Sequence, residues 1–290
     1  MQKQENITSL KGFRDILPDE WTYWQFVIDA VENGAFASGF ERIEIPTLEK
    51  SDLFVRSVGE ETDIVTKEMY LFDTGKMSSA KNPPKKGRDR EEGTLVGMRP
   101  ELTAGIVRAY MEHGMHTWVK PISLYSIGKC FRHENPQAGR YREFTQFDAE
   151  IFGSEDPTID ANLIAMLWNI FQRMKITGLE VSINSIGCKE CSPRIRKLLV
   201  EYFKKKEGKL CDDCKRRLKK NPYRLLDCKN EKCHPIIAAA PLTVDNICEA
   251  CKAHFMAVLE YLDDLGVSYN LSPNLVRGLD YYNRTVFEIV

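Results

Sequence analysis

The sequence predicts an α+β fold in which an antiparallel sheet is flanked by helices and carries a small helical, cysteine-rich insertion. Two runs, ISLYSIGKCF and REFTQFDAEIF, alternate as strands do and are joined by a polar, turn-forming loop. Apolar residues at helical spacing lie both before and after this hairpin. Four cysteine pairs crowd residues 188–251. We therefore expect one hairpin-centred core interrupted by the insertion.

Length and composition are those of an ordinary soluble protein with a large core. The chain has 290 residues, of which 43% are hydrophobic and 29% charged, and its formal charge is −1. Its apolar runs are too short for a membrane span, and MQKQENITSL lacks the apolar centre of a signal peptide. We expect a cytoplasmic protein without membrane contact.

The elements before the hairpin follow from apolar spacing and chain breakers. A helix is predicted after Pro18 and ends at Gly39, with a strand in ERIEIP that stops at Pro46. The apolar runs 69–72 and 95–98 predict a second hairpin, and the lysine- and proline-rich connection between them predicts a mobile loop. A helix is then expected from about Thr103, with that threonine as a candidate helix cap.

Apolar spacing also predicts the elements after the hairpin. Helices are predicted over residues 156–177 and 243–265, and strands in LEVSINSIG, VSYNLSP and the last residues of the chain. Together with the insertion, they predict three segments: a core over residues 1–187, the cysteine-rich insertion over 188–251, and a return to the core over 252–290.

The hairpin loop concentrates arginines and glutamates. Arg132, Arg140 and Arg142 stand near Glu134 and Glu143. Each guanidinium is a planar fork of donors that suits polyphosphate oxygens. Charge alone is equally typical of an ordinary arginine-rich surface hairpin.

The order of these residues separates the two interpretations. F-R-x-E followed by G-R-x-R-E-F resembles motif 2 of the class II aminoacyl-tRNA synthetases. The first helix and strand resemble motif 1, the dimerisation element of that class, and imply a homodimer. MRPELTAGIVRAY and LVRGLDYYNRTVFE narrow the resemblance to the histidyl-tRNA synthetases. This resemblance implies an ATP site at Arg132, Glu134, Arg140, Arg142 and Phe144.

A histidine pocket is implied by the same resemblance. Alternation places Gln146, Asp148 and Glu150 on one face of a strand, where a polar row is costly unless a ligand binds it. The resemblance selects two of these three residues and adds four others as histidine contacts: Glu101, Thr103, Gln146, Glu150, Tyr281 and Tyr282.

The implied reaction is ATP-dependent activation of L-histidine and its transfer to the 3′ end of tRNA(His). ATP and Mg²⁺ are the implied cofactors, with Arg132 and Arg277 as the catalytic residues and no protein nucleophile. The sequence ends before the positions of motif 3 and the anticodon-binding domain. We therefore expect a catalytic-domain fragment that binds ATP more weakly than histidine.

Two other functions remain open. One is the non-catalytic, histidine-sensing regulatory subunit of ATP phosphoribosyltransferase, which shares the fold but commonly loses the phosphate-binding arginines. The other is a zinc-dependent nucleic-acid-binding module on an inactive synthetase core. Formation of an adenylate would exclude both.

The cysteine pairs have the spacing of metal ligands. Two residues between thiolates let both sulfurs bind one tetrahedral ion. Reduced structural thiols and a redox role are the alternatives, and spacing leaves the pairing open. The candidate ligands for one or two structural Zn²⁺ ions are Cys188, Cys191, Cys211, Cys214, Cys228, Cys233, Cys248 and Cys251.

The insertion is also basic. Residues 194–232 hold 15 Lys or Arg against 6 Asp or Glu, an excess of +9. This excess is typical of either a solvated face or a nucleic-acid contact, here an approach to the tRNA acceptor stem.

Overall fold

The computed structural model describes residues 7–59, 62–74, 94–277 and 281–290. The chain forms two compact units, residues 1–153 and 154–290. The domain boundaries expected at 187/188 and 251/252 remain predictions. The mobile loop expected between the apolar runs 69–72 and 95–98 falls on residues 75–93, outside the described residues.

The described residues of the first unit form four short strands, three helices and one long hairpin. Its elements are helices α1 (Pro18–Ala37), α2 (Ser51–Val58) and α3 (Thr103–Glu112), and strands β1 (Glu41–Arg42), β2 (Leu48–Lys50), β3 (Leu71–Asp73), β4 (Leu95–Met98), β5 (Ile122–Phe131) and β6 (Glu143–Phe152). Short helical turns occupy Ile64–Glu68 and Met115–Thr117.

Both predicted hairpins are confirmed. Strands β5 and β6 pair antiparallel over ten residues, from Ile122 opposite Phe152 to Phe131 opposite Glu143. Strands β3 and β4 pair antiparallel in a second sheet of order β2-β4-β3. The strand expected in ERIEIP is shorter than predicted, because only β1 pairs, parallel to β5. The core of this unit lies between α3 and the β5–β6 hairpin.

Helix α1 begins and ends where the sequence predicts. Pro18 occupies the first turn together with Asp19 and Glu20, whose negative charges suit a helix N-terminus. Gly39, at φ +80°, follows the last turn. Much of the helix surface is apolar and exposed, with Tyr23 75% exposed. This helix therefore exposes several large apolar side chains.

The second unit packs two long helices on a three-stranded sheet. Its elements are helices α4 (Pro157–Arg173), α5 (Ser192–Lys204), α6 (Asp212–Lys220), α7 (His234–Ala238) and α8 (Glu249–Asp264), and strands β7 (Val181–Ser185), β8 (Tyr269–Leu271) and β9 (Thr285–Ile289). The sheet order is β8-β7-β9, with β8 parallel and β9 antiparallel to β7. Apolar side chains of α4, α8 and β7 form its core.

The helix predicted over 243–265 is wrong in its first turns. A short turn covers Val244–Asn246, and α8 starts only at Glu249. Ile247 and Cys248 have extended backbones between them, with ψ near 160°. The cause is an interaction with a distant segment, because the Cys248 amide donates to the sulfur of Cys191 instead of continuing a helix.

The insertion has its own small core inside the second unit. Helices α5, α6 and α7 and several single turns pack buried leucines, isoleucines and Phe203 against the cysteine side chains. None of the helices in the described parts of the chain is both long and apolar enough to cross a bilayer.

Candidate active site

A cluster of carboxyl groups lies between the start of α3 and one face of β6. The Thr103 hydroxyl donates to Glu150 Oε1 at 2.6 Å and lies 3.4 Å from Asp148 Oδ2. The Leu102 amide donates to the same Asp148 oxygen at 3.2 Å. Gln146 Nε2 donates to Asp148 Oδ1 at 2.6 Å. The predicted polar row on β6 is therefore one connected network.

Glu101 completes the cluster from the other side of Thr103. Its side chain is buried, and its Oε1 accepts a hydrogen bond from the Ala104 amide at 2.9 Å. Glu101 thus satisfies a free amide in the first turn of α3, and Thr103 does not serve as the helix cap. The cap expectation for Thr103 was wrong because its hydroxyl turns toward Glu150 instead.

The electrostatics of the cluster are those of carboxyl groups withdrawn from water. Burial raises the pKa of Glu101, and repulsion from Asp148 adds to the effect. Burial likewise raises the pKa of Asp148. Burial, with repulsion from Asp148 and Glu101, raises the pKa of Glu150 to about 7. The three acids therefore resist ionisation as long as no positive charge lies beside them.

A buried arginine lies beside this cluster, on the face of the hairpin that carries Gln146. Arg99 Nε donates to the Lys129 carbonyl at 2.7 Å, and its Nη1 donates to the Ile45 carbonyl at 2.6 Å. Gly128, opposite Gln146 in the hairpin, lies directly against this guanidinium, and a Cβ there would collide with it. Arg99 therefore ties β5 to the segment before α3.

Next to the cluster, the motif 2 arginine lies over an aromatic ring. The Arg132 guanidinium carbon is 5.1 Å from the Phe144 ring centroid, and its Nε donates to the Pro100 carbonyl at 2.9 Å. Glu134 stands between two arginines, 4.0 Å from Arg132 and 3.5 Å from Arg140. The hairpin thus brings together four of the five predicted ATP-site residues.

Arg142, the fifth, is engaged by the backbone. Its Nε donates to the Glu134 carbonyl at 3.0 Å and its Nη1 to the Lys11 carbonyl at 3.4 Å. Gly12, at φ +88°, packs against the Arg142 side chain so closely that a Cβ would contact it at 2.8 Å. In this structure Arg142 fastens the N-terminal segment to the hairpin loop.

The remaining predicted residues belong to the second unit. Arg277 Nη1 pairs with Glu288 Oε1 at 2.7 Å, and the Tyr281 and Tyr282 rings stack with centroids 4.9 Å apart. Residues 278–280 of the same motif lie outside the described residues. The segment before Arg277 is anchored by the buried Asn184, whose amide donates to the Pro273 and Leu275 carbonyls at 3.1 and 3.0 Å.

Eight cysteines form two groups in the second unit. Within each group the four sulfurs lie within 4.8 Å of one another, and the sulfurs form no disulfide. The base group, where the insertion leaves and rejoins the chain, is Cys188, Cys191, Cys248 and Cys251. The inner group is Cys211, Cys214, Cys228 and Cys233. The structure thus supplies the pairing that spacing left open.

Sequence reasoning missed three residues that organise these sites. Asp148 was placed on the correct face but not selected, although it contacts Thr103, Leu102 and Gln146. The partners of Arg99 and Asn184 lie 30 or more residues away in sequence. Asp148 alone had a signal in the sequence, through the alternation of polar residues on β6.

The fold and the arrangement of these motifs define the core of a class II aminoacyl-tRNA synthetase. The crystal structure of apo S. aureus histidyl-tRNA synthetase matches with a TM-score of 0.73 at 33% identity, over 98% of this chain and 61% of that one. A Bacillus halodurans protein described as an ATP phosphoribosyltransferase regulatory subunit/histidyl-tRNA synthetase shares the fold, with a TM-score of 0.64 at 20% identity, over 100% of this chain and 73% of that one.

The sequence comparisons narrow the class. The family model for histidyl-tRNA synthetase matches residues 12–290, and the chain belongs to the histidyl-tRNA synthetase family. It is 46% identical over 283 residues to the histidine–tRNA ligase of Desulforamulus reducens, covering 98% of this chain. The chain spans 64% of the length of that relative.

Replacing Glu150 by Gln tests the electrostatics of the cluster. The pKa of Glu150 is higher in the folded protein than in the unfolded chain. The contribution of this group to the free energy of unfolding is therefore fully present below pH 4.5 and is lost as the pH rises to about 7. We expect Glu150→Gln to equal the wild type at pH 4.5 and to exceed its free energy of unfolding at pH 8 by about 1–3 kcal/mol.

Urea unfolding at the two pH values measures this difference. Glu41→Gln, an exposed matched change in the same unit, should leave the pH dependence unchanged. A Glu150→Gln protein with the same pH dependence as the wild type would show that this carboxyl group ionises freely.

Proposed function

We propose that the chain activates L-histidine with ATP to form histidyl-adenylate and, as part of a histidine–tRNA ligase, transfers histidine to the 3′ end of tRNA(His). The observation that carries the proposal is one face of β6. Phe144, Gln146, Asp148 and Glu150 alternate along it, with Arg132 over Phe144 and Thr103 over Glu150. Nucleotide-binding and amino-acid-binding groups therefore share one surface.

The acidic end of this face suits the amino acid. Histidine brings an ammonium group and an imidazole ring that donates hydrogen bonds, and both are complementary to carboxylates. Burial, with repulsion from Asp148 and Glu101, raises the pKa of Glu150, and the positive charge of a bound histidine would offset both effects and favour its ionised form. Hydrogen bonds within the cluster hold the side chains of Glu101, Thr103 and Gln146 in place. Side chains fixed in this way would orient the ligand that they contact.

The arginine end suits the triphosphate. Arg132 would hold the α-phosphate and Phe144 the adenine, with Glu134 and Arg140 beside them. Mg²⁺ bound with ATP would neutralise phosphate charge, and Glu134 offers the hard carboxylate oxygens that this ion prefers. The reaction needs positioning and charge stabilisation as the histidine carboxylate attacks the α-phosphorus and pyrophosphate leaves.

By the resemblance, three residues of the second unit also have proposed roles. Arg277 would be a catalytic residue, and binding phosphate oxygens would require it to release Glu288. Tyr281 and Tyr282, whose rings stack, would be histidine-binding residues. The eight insertion cysteines take no part in this chemistry, which requires no thiolate.

Two partners belong to the same proposal. A second copy of the chain would cover the exposed apolar face of α1, where Tyr23 and Phe26 are 75% and 53% exposed. The tRNA would approach the basic insertion, where Lys204 and Lys205 are exposed. A cytoplasmic location fits these substrates.

The regulatory-subunit alternative predicts histidine binding without chemistry. The similarity to the Bacillus halodurans protein is one of fold only. Arg132, Arg140 and Arg277 are all present here, and a purely histidine-sensing protein has no need of them. This favours the enzyme.

Histidine-dependent exchange of pyrophosphate into ATP tests the proposed activity. We expect exchange with L-histidine alone among the amino acids, and a loss of about 100-fold or more in Arg132→Ala, because one phosphate-stabilising group is removed. Arg56→Ala, an exposed arginine of α2, should exchange at the wild-type rate. Histidine binding detected by calorimetry without any exchange would favour the regulatory alternative. The absence of both histidine binding and exchange would reject the proposal.

The salt dependence of tRNA binding tests the basic insertion. Lys206 already donates to the Tyr202 hydroxyl at 2.5 Å, so Lys204 and Lys205 have the freer ammonium groups. Replacing all three by Ala should reduce the slope of log K against log salt by about 2, because each phosphate contact contributes a little under 1. Lys252→Ala is the exposed control outside the insertion. An unchanged slope in the triple variant would place the tRNA elsewhere.

A further inference from the structure

We infer that the eight insertion cysteines form two separate structural zinc sites, each with four thiolate ligands: one in the base group and one in the inner group. This inference is independent of histidine activation. It assigns both the metal and the pairing, and it gives the two sites different structural roles.

The sulfur positions fit a tetrahedral ion. Zinc binds thiolates at about 2.3 Å, and a tetrahedron with that bond length has sulfur–sulfur edges of about 3.8 Å. In the base group the Cys188–Cys191 sulfurs are 3.6 Å apart and the Cys191–Cys251 sulfurs 3.8 Å. In the inner group the Cys211–Cys228 sulfurs are 3.8 Å apart. A disulfide would require about 2.05 Å.

The surroundings of the sulfurs also fit thiolates. The Cys248 amide donates to Cys191 Sγ at 3.1 Å, and the Cys211 amide donates to Cys233 Sγ at 3.4 Å. Cys191, Cys211 and Cys248 each directly precede a helix, α5, α6 and α8 respectively. Amide donors and helix N-termini both stabilise negative charge on sulfur.

Four thiolates already complete each site. His234, beside Cys233, is the nearest candidate for an additional ligand in the sequence, but it is not a member of the inner group. An all-sulfur tetrahedral set selects zinc or iron over hard cations. Zinc is the choice for a purely structural role, because it has no redox chemistry and is common in closed four-thiolate sites.

The small size of the insertion explains why metals would be needed. A domain of about 60 residues has a marginal core, and metals commonly stabilise such domains. The insertion has only one helix of more than ten residues, α5 (Ser192–Lys204), and its buried side chains pack directly against the cysteines. Without the ions, the thiols would be the centre of a weak core.

The two sites would do different work. The base group joins Cys188 and Cys191, just after β7, to Cys248 and Cys251 at the start of α8. The later turns of α8 pack into the core of the second unit, so this ion would fix the insertion at the point where it leaves and rejoins that core. The inner group holds only insertion residues together, so its ion would maintain the fold of the basic surface.

Zinc content of paired variants tests the assignment. By mass spectrometry of metals, the wild-type chain should hold two zinc ions. Cys191→Ser/Cys251→Ser, both in the base group, should retain one. Cys191→Ser/Cys214→Ser, one from each group, should retain none. Cys130→Ala, which changes the buried cysteine outside both groups, should retain two.

The alternative pairing of neighbouring motifs along the chain predicts the reverse. If Cys188 and Cys191 shared an ion with Cys211 and Cys214, the first double variant would lose both ions and the second would keep one. That result would overturn the inference.

The wild-type chain gives a second test that does not depend on folding of the variants. X-ray absorption at the zinc edge should show four sulfur neighbours at about 2.3 Å. Nitrogen or oxygen neighbours, iron in place of zinc, fewer than two ions, or disulfides among the eight thiols would each reject the two-site assignment.

Discussion

Burial of three carboxyl groups at the start of α3 and on β6 is the electrostatic constraint that the first unit has to accommodate. A carboxylate withdrawn from water is costly unless it is paired or neutralised, and Glu101, Asp148 and Glu150 are withdrawn together. Hydrogen bonds from Thr103, Gln146 and the backbone offset part of that cost. The part of the cost that these hydrogen bonds leave raises the pKa of all three groups. Under the proposed function, a positively charged ligand would offset it.

The surrounding strands and side chains hold this cluster in place. The ten-residue pairing of β5 with β6 fixes the register, so that alternate residues of β6 face α3. Arg99 donates to carbonyl groups on two different segments beside the cluster, and Gly128 leaves room for its guanidinium. The same hairpin continues to Arg132 and Phe144. One hairpin thus carries the buried carboxyl groups at one end and the Arg132–Phe144 pair at the other, and the proposed adenylate formation would use both ends.

Local sequence patterns predicted the strands, the polar face and the candidate metal ligands, whereas contacts between segments distant in sequence could not be predicted. The alternation around Phe144 and Glu150 predicted the hairpin and the polar face correctly. The cysteine spacing identified the metal-ligand candidates, but their pairing needed the structure because Cys191 and Cys251 are 60 positions apart. The suggestion that Thr103 caps a helix was wrong because the partner of its hydroxyl lies 47 positions along the chain, whereas its predicted contact with histidine stays a prediction.

The central claim is that the carboxyl cluster is the receptor for L-histidine. A crystal structure of the chain with saturating L-histidine tests it most directly. The account predicts the ligand against α3 and β6, with its nitrogen atoms within hydrogen-bonding distance of Thr103, Gln146 or Glu150. Histidine bound elsewhere, or a carboxyl cluster without ligand at saturation, would contradict it.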